Sequence, residues 1–142
     1  MANSKEKIKE FVTARGSDAI PRMARMLLVD KTITDINIQD SDGNTALTYQ
    51  AGNGTTGTVA WLLRQDPPAD IDIRNSGQST PLMQAAASDT DPEGKVRLLI
   101  EYGADRDLVD MFGRTALYYA RSLNKPAAVI DLLENYRPDV SR

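Results

Sequence analysis

Thr80-Pro81-Leu82-Met83-Gln84-Ala85, with Asn75-Ser76-Gly77 just ahead of it, is the stretch on which the fold turns. An Asx-plus-glycine turn is followed by a threonine suited to capping a helix, and by a proline at the first helical position, where its missing N–H costs nothing. Shifted 35 residues back, the same pattern reads Asp40-Ser41-Asp42-Gly43 and then Thr45-Ala46-Leu47; shifted 35 forward, Asp110-Met111-Phe112-Gly113 and then Thr115-Ala116-Leu117. Other columns fall into the same register: Asp35, Asp70 and Asp105; Asn37, Asp72 and Asp107; Ile38, Ile73 and Leu108. Agreement of so many columns at one offset marks an internal repeat.

Each copy continues into a second helix. Val59, Leu62 and Leu63 form an apolar stripe in one copy, and Val96, Leu99 and Ile100 in the next, where Asp91-Pro92-Glu93 supplies a cap and a proline start. In the last, Val129, Leu132, Leu133 and Tyr136 share a face, with Asn124 as the expected cap and Pro126 in the first turn. Helices this short are marginal alone, so the pairs are expected to stack on one continuous core. The opening residues read as a copy that has lost its turn. Ser4 is placed as the cap of a helix bearing Ile8, Phe11 and Val12 that ends near Gly16, and Ile20, Met23, Ala24, Leu27 and Leu28 form the stripe of its partner.

The unit resembles the ankyrin repeat, on the strength of Thr80-Pro81-Leu82-Met83-Gln84-Ala85 against the family's T-P-L-H-x-A, and of Gly103-Ala104-Asp105 after Leu99-Ile100-Glu101-Tyr102. The resemblance covers about 36–133 well and the first 35 residues loosely. It implies an all-α solenoid forming a single domain: a degenerate N-terminal capping repeat over 1–35, repeats over 36–70 and 71–105, and a C-terminal capping repeat over 106–142. The chain departs from the family where Thr48, Met83 and Tyr118 replace the motif histidine, so the hydrogen bonds that histidine makes must be lost or replaced. The third block also carries two extra residues between its helices, within Ser88–Lys95.

Composition narrows the chemistry. The 142 residues include no cysteine and no histidine, which removes disulfides, thiolate catalysis and the commonest general base and metal ligand. No apolar run approaches the ~18 residues of a membrane span, and Met1-Ala2-Asn3-Ser4-Lys5-Glu6 does not read as a secretory signal. A cytoplasmic location is expected. The net charge is −3; seven Lys/Arg oppose five Asp/Glu over 1–35, and ten oppose fifteen over 36–142. Phosphate backbones are gripped by clustered positive charge, so no nucleic-acid partner is expected. Lys5, Lys7, Lys9, Arg15, Arg22 and Arg25, interleaved with acids, read as a solvated helix face.

Two motif look-alikes dissolve in the register. Gly52-Asn53-Gly54-Thr55-Thr56-Gly57 matches G-x-G-x-x-G but falls between two helices, without the preceding strand a dinucleotide site needs. Asp40, Asp42 and Asn44 imitate the start of a calcium loop, yet Thr45 and Ala51 stand where it needs glycine and a bidentate glutamate. Asp105, Asp107 and Asp110 recur as columns rather than as a single constellation, so no catalytic site, metal or cofactor is expected.

The resemblance then implies a protein–protein interaction module. It would grip a partner protein on its concave side, through the turn tips and first helices, as an adaptor, inhibitor or regulatory subunit, and would be monomeric without that partner. The implied contact positions are Gln39, Ser41, Asp42 and Asn44; Arg74, Ser76, Gln78 and Ser79; and Val109, Met111, Phe112 and Arg114 with Tyr118. Asn53, Ser88 and Ser122 would lie near the helix ends of that face, with Thr48, Met83 and Tyr118 partly shielded. The first set is polar to acidic, the second polar with one arginine, and the last apolar. An apolar turn tip is unusual and reads either as an interface anchor or as Met111 and Phe112 folding back on the neighbouring repeat; the alternative function is self-association through that tip.

Overall fold

The computed structural model describes residues 4–138. Its helices come in pairs: α1 (Ser4–Val12) with α2 (Ala19–Ala24), α3 (Ala46–Asn53) with α4 (Thr56–Leu63), α5 (Pro81–Ala87) with α6 (Pro92–Glu101), and α7 (Ala116–Ser122) with α8 (Ala127–Asn135). Among the described residues there is no strand. First helices pack on first helices (α1 on α3, α3 on α5, α5 on α7) and second helices on second (α2 on α4, α4 on α6, α6 on α8), giving two parallel layers with the core between them. Alanines line the inner layer at Ala46, Ala51, Ala85, Ala86, Ala116 and Ala120, so the first helices approach closely. Val59, Leu62, Val96, Leu99, Val129 and Leu132 fill the outer layer.

The repeated threonines cap as their sequence position requires. The hydroxyls of Thr45, Thr80 and Thr115 accept from the amides of Thr48, Met83 and Tyr118, satisfying an orphan N–H in each first turn. Ahead of each cap stands a finger-like turn built on one Asx side chain. Asp40 Oδ1 accepts from the amides of Asp42 (2.9 Å) and Asn44 (3.0 Å), Asn75 Oδ1 from Gly77 (2.9 Å) and Ser79 (3.0 Å), and Asp110 Oδ1 from Phe112 (2.9 Å) and Arg114 (3.0 Å). The left-handed residue in each finger is Gly43 (φ 77), Gln78 (φ 64) or Gly113 (φ 75). In the middle finger the glycine stands one place early, and Gln78 takes the strained conformation instead.

Adjacent fingers are laced together. The Ser76 amide donates to the Asp42 carbonyl (3.0 Å) and the Met111 amide to the Gly77 carbonyl (3.1 Å). The Asn37/Asp72 column accounts for itself in the same way, since Asn37 accepts from the Asp70 amide and Asp72 from the Asp105 amide of the following copy.

Several expectations need correction. Leu28 is 57% exposed, not core like Leu63 one register later. The chain winds as a π-helical turn over Arg25–Val29, with the Asp30 amide reaching back five residues to the Arg25 carbonyl at 2.8 Å. Met23 of the expected stripe is buried and Leu27 packs against the core, while Met26, outside that stripe, takes the buried place that the wider turn denies Leu28. Ser4 already lies within α1 and is not its cap. Asn124 does not cap α8; it sits at φ 55, closing α7, and Pro126 occupies the position before Ala127. Leu117, in register with the buried Leu47 and Leu82, is only half-buried, because among the described residues no helix pair packs on its side of α7.

Candidate functional site

Three fingers and the first helices behind them form one edge of the stack. Gln39, Ser41 and Asp42 of the first finger are exposed and Asn44 is half-buried; Ser76 and Gln78 of the second are exposed, with Arg74 and Ser79 half-buried. Part of this polarity is spent within the scaffold. Gln39 donates to the carbonyls of Gly43 (2.8 Å) and Arg74 (3.0 Å), and Asn75 to the side-chain oxygen of Asn44 (3.0 Å).

The last finger differs in kind. Met111 and Phe112 are 62% and 68% exposed, and Val109 and Tyr118 are exposed as well. The Arg114 guanidinium carbon lies 5.0 Å from the centre of the Phe112 ring and 5.1 Å from that of Tyr118, both within cation–π range. Tyr118 in turn meets Tyr119 edge-on at 5.7 Å. Four of the positions singled out in the sequence, Met111, Phe112, Arg114 and Tyr118, thus gather at one end of the face, while Gln39, Ser41 and Asp42 stand two fingers away. Beneath the last finger the Tyr119 hydroxyl donates to Asp110. Burial pushes the Asp110 carboxyl up, but that bond and the amides of Arg114 and Phe112 together outweigh it and hold the group below its ordinary value of 3.8.

Two grooves flank the fingers. One of about 250 Å³ runs between the second and third fingers, bordered by Ser79, Met83, Gln84, Ala87, Met111 and Phe112. The other, of about 550 Å³, opens where the N-terminal copy lacks a finger: Lys5, Ile8 and Lys9 of α1 face Asp40, Asp42 and Tyr49 across it.

The shielded positions divide. Thr48 and Met83 are fully buried, with the Thr48 hydroxyl bonded to that of Thr45 at 3.0 Å, whereas Tyr118 is 46% exposed. Ser88 does not stand on the exposed edge: it is buried, and it belongs to a polar junction that the sequence did not disclose. Lys95 is fully buried, and its Nζ donates to the Gly54 carbonyl (3.0 Å) and Ser88 Oγ (2.8 Å). Ser88 Oγ donates to the Gly52 carbonyl at 2.8 Å, and Lys125 Nζ to the Ser88 carbonyl at 2.9 Å. On the N-terminal side Gln50 donates to the carbonyls of Val12 (3.2 Å) and Ala14 (2.7 Å).

A polar side chain from each copy therefore closes the carboxyl end of the preceding first helix, where unpaired carbonyls and the helix dipole favour a donor or cation. These contacts tie the repeats together where the motif histidine is missing. Burial, opposed by the charge of Asp91, pushes the Lys95 ammonium down to about 8 from 10.5. The available signal was the inserted Ser88–Lys95 segment, which puts Lys95 in step with Thr58, itself buried.

Among the described residues no group of His, Cys, Asp or Glu is arranged to hold a metal ion. No helix among them is long and apolar enough to cross a membrane.

Stacked helix pairs with laced, projecting fingers and an exposed edge define a repeat solenoid. A family model of ankyrin repeats in three copies matches residues 11–110 and 69–142, and the chain belongs to the ankyrin-repeat family. It is similar to neurogenic locus notch homolog protein 1 of Xenopus laevis (37% identical over 101 residues, 71% of this chain) and of Homo sapiens (36% over 101, again 71%). The protein of that name from Danio rerio is 33% identical over 119 residues, 84% of this chain. In each case the match spans 4% of the relative's length. Ankyrin repeats generally serve as protein–protein interaction modules.

Proposed function

We propose that this chain is a non-catalytic module that holds a partner protein on its finger edge and first helices, as an adaptor, inhibitor or regulatory subunit. The observation that carries this reading is the last finger, where Met111 and Phe112 stand exposed on a turn locked by Asp110. Exposing large apolar side chains on a rigid tip costs solubility and contributes nothing to the core. Aromatic and arginine side chains held in this way are the ones that dominate interface energies. The two polar fingers supply the rim, where hydrogen bonds and charge set specificity more than affinity.

Self-association is the second reading, favoured by one observation: Tyr118 and Leu123 are 46% and 51% exposed on α7, beside the apolar tip of the last finger. Light scattering over a concentration range separates the two, because the leading reading expects a monomer. A photo-crosslinking residue at position 78 or 112 should capture a partner from native extract, and one at position 97, on the exposed side of α6, should not. Crosslinks from position 97 alone would place binding on the opposite layer and end the proposal.

A further inference from the structure

Arg114 is set between two aromatic rings, whereas Arg64, Arg106 and Arg137 bond to a tyrosine hydroxyl or to backbone carbonyls. Arg22, Arg25, Arg97 and Arg121 each have a carboxylate partner, in Asp18, Asp30, Glu93 and Glu134. Arg114 lies instead against two aromatic rings, with its guanidinium bearing on the Tyr119 hydroxyl and, at longer range, on Asp110. Asp110 is already committed to Tyr119 and to two finger amides. A guanidinium carries five N–H donors at its edge; the Tyr119 hydroxyl engages only part of that edge, and the neighbouring Phe112 and Tyr118 rings restrain its rotamers. Beside it the groove of about 250 Å³ under Met111 and Phe112 has room for a single side chain.

We infer that this end of the face reads an acidic–apolar segment of the partner: an aliphatic or aromatic side chain enters the groove between the second and third fingers, and an adjacent Asp or Glu carboxylate pairs with the Arg114 edge. This rests on the finger-edge reading above and adds the chemistry of what is held there. Complementarity of charge and shape selects a carboxylate. Phospho-group recognition relies on clustered arginines, and this tip has one. The specificity is local. With a net charge of −3 the chain as a whole repels an acidic segment, so attraction begins only within about a Debye length of ~8 Å at physiological salt. Association should accordingly speed up slightly, or hold steady, as salt rises, the opposite of long-range steering.

The test is selection of a random peptide library displayed on phage against the immobilised protein, followed by anisotropy titration of the enriched peptides. Enriched sequences should carry Asp or Glu within two positions of a large apolar residue. Binding should fall roughly tenfold or more in Arg114→Ala and in Phe112→Ala, each with a melting curve like the parent's, and should be unchanged in Asp42→Ala. Arg114→Lys should restore little, because a lysine lacks the planar fork. Enrichment without acidic residues, binding indifferent to Arg114→Ala, or no enrichment at all overturns the inference. Peptides that bind but respond only to Asp42→Ala overturn it while leaving the finger edge as the binding face. Crosslinks confined to position 97 remove the finger edge itself.

Discussion

Replacing Lys95 with methionine isolates the buried ammonium that joins the second and third repeats. Lys95 is fully buried, with its Nζ held by the Gly54 carbonyl and Ser88 Oγ. Its folded value of about 8 lies below its ordinary 10.5, so the native state disfavours the charged form. The sign follows from proton counting. Between pH 8 and 10.5 the unfolded chain binds more protons at this site than the native chain, so stability rises with pH across that window and levels off above it. The span of about 2.5 pH units at 1.36 kcal/mol each sets an upper bound of ~3 kcal/mol on the gain. Asp91, the opposing charge, stays ionised throughout and does not add to the slope. Lys95→Met removes the titration but strands the Gly54 carbonyl, a cost of ~1–3 kcal/mol, while Ser88 keeps its bonds to the Gly52 carbonyl and the Thr90 amide. Urea denaturation of both proteins from pH 7 to 10.5 is the assay, since taking the difference cancels the other lysines and the tyrosines. Wild type should gain on the variant as pH rises. Parallel stability curves would show that Lys95 is solvated, and the buried junction would then be wrong.

The other perturbations test separate layers of the account. Leu82→Ala, at a position 1% exposed between α3 and α7, should cost ~2–5 kcal/mol and lower the denaturation midpoint; Leu117→Ala should cost distinctly less, because its side chain is half-buried. Gly43→Ala would bring a Cβ to 2.6 Å from the Ser76 amide nitrogen at φ 77, so it should lose ~1–3 kcal/mol, read by thermal melting. Gln78→Gly, which relieves the left-handed residue of the middle finger, should raise stability by up to ~1 kcal/mol. The lowered Asp110 carboxyl contributes stability that is present above about pH 4 and is lost as pH falls through its folded value; Asp110→Asn should flatten that part of the acid curve.

What the sequence disclosed and what it hid divide by range. The 35-residue register located the threonine caps and the Asx fingers because each is settled within four residues of chain. The apolar third finger was legible for the same reason: its turn chemistry and its side chains come from one short run. The π turn at Arg25–Val29 was hidden, since a period-3.6 stripe through Leu27 and Leu28 looks alike whether or not one hydrogen bond skips a residue. Gln78 was hidden because Gly77 is the obvious candidate for positive φ and the register places the turn one residue later. Lys95 and Ser88 read as surface types, and only the meeting of two repeats buries them. The polar grip of each copy on the helix before it therefore had no local signature.

The claim that the exposed third finger anchors a partner is tested most directly by measuring melting and affinity on the same variant, Phe112→Ala, against the partner captured by position-78 or position-112 crosslinking. Phe112 is 68% exposed, so the melting temperature should stay near the parent's. Loss of an aromatic anchor costs ~2 kcal/mol or more, a roughly thirtyfold rise in Kd by titration calorimetry. A variant that melts early yet binds its partner with unchanged affinity would contradict the account.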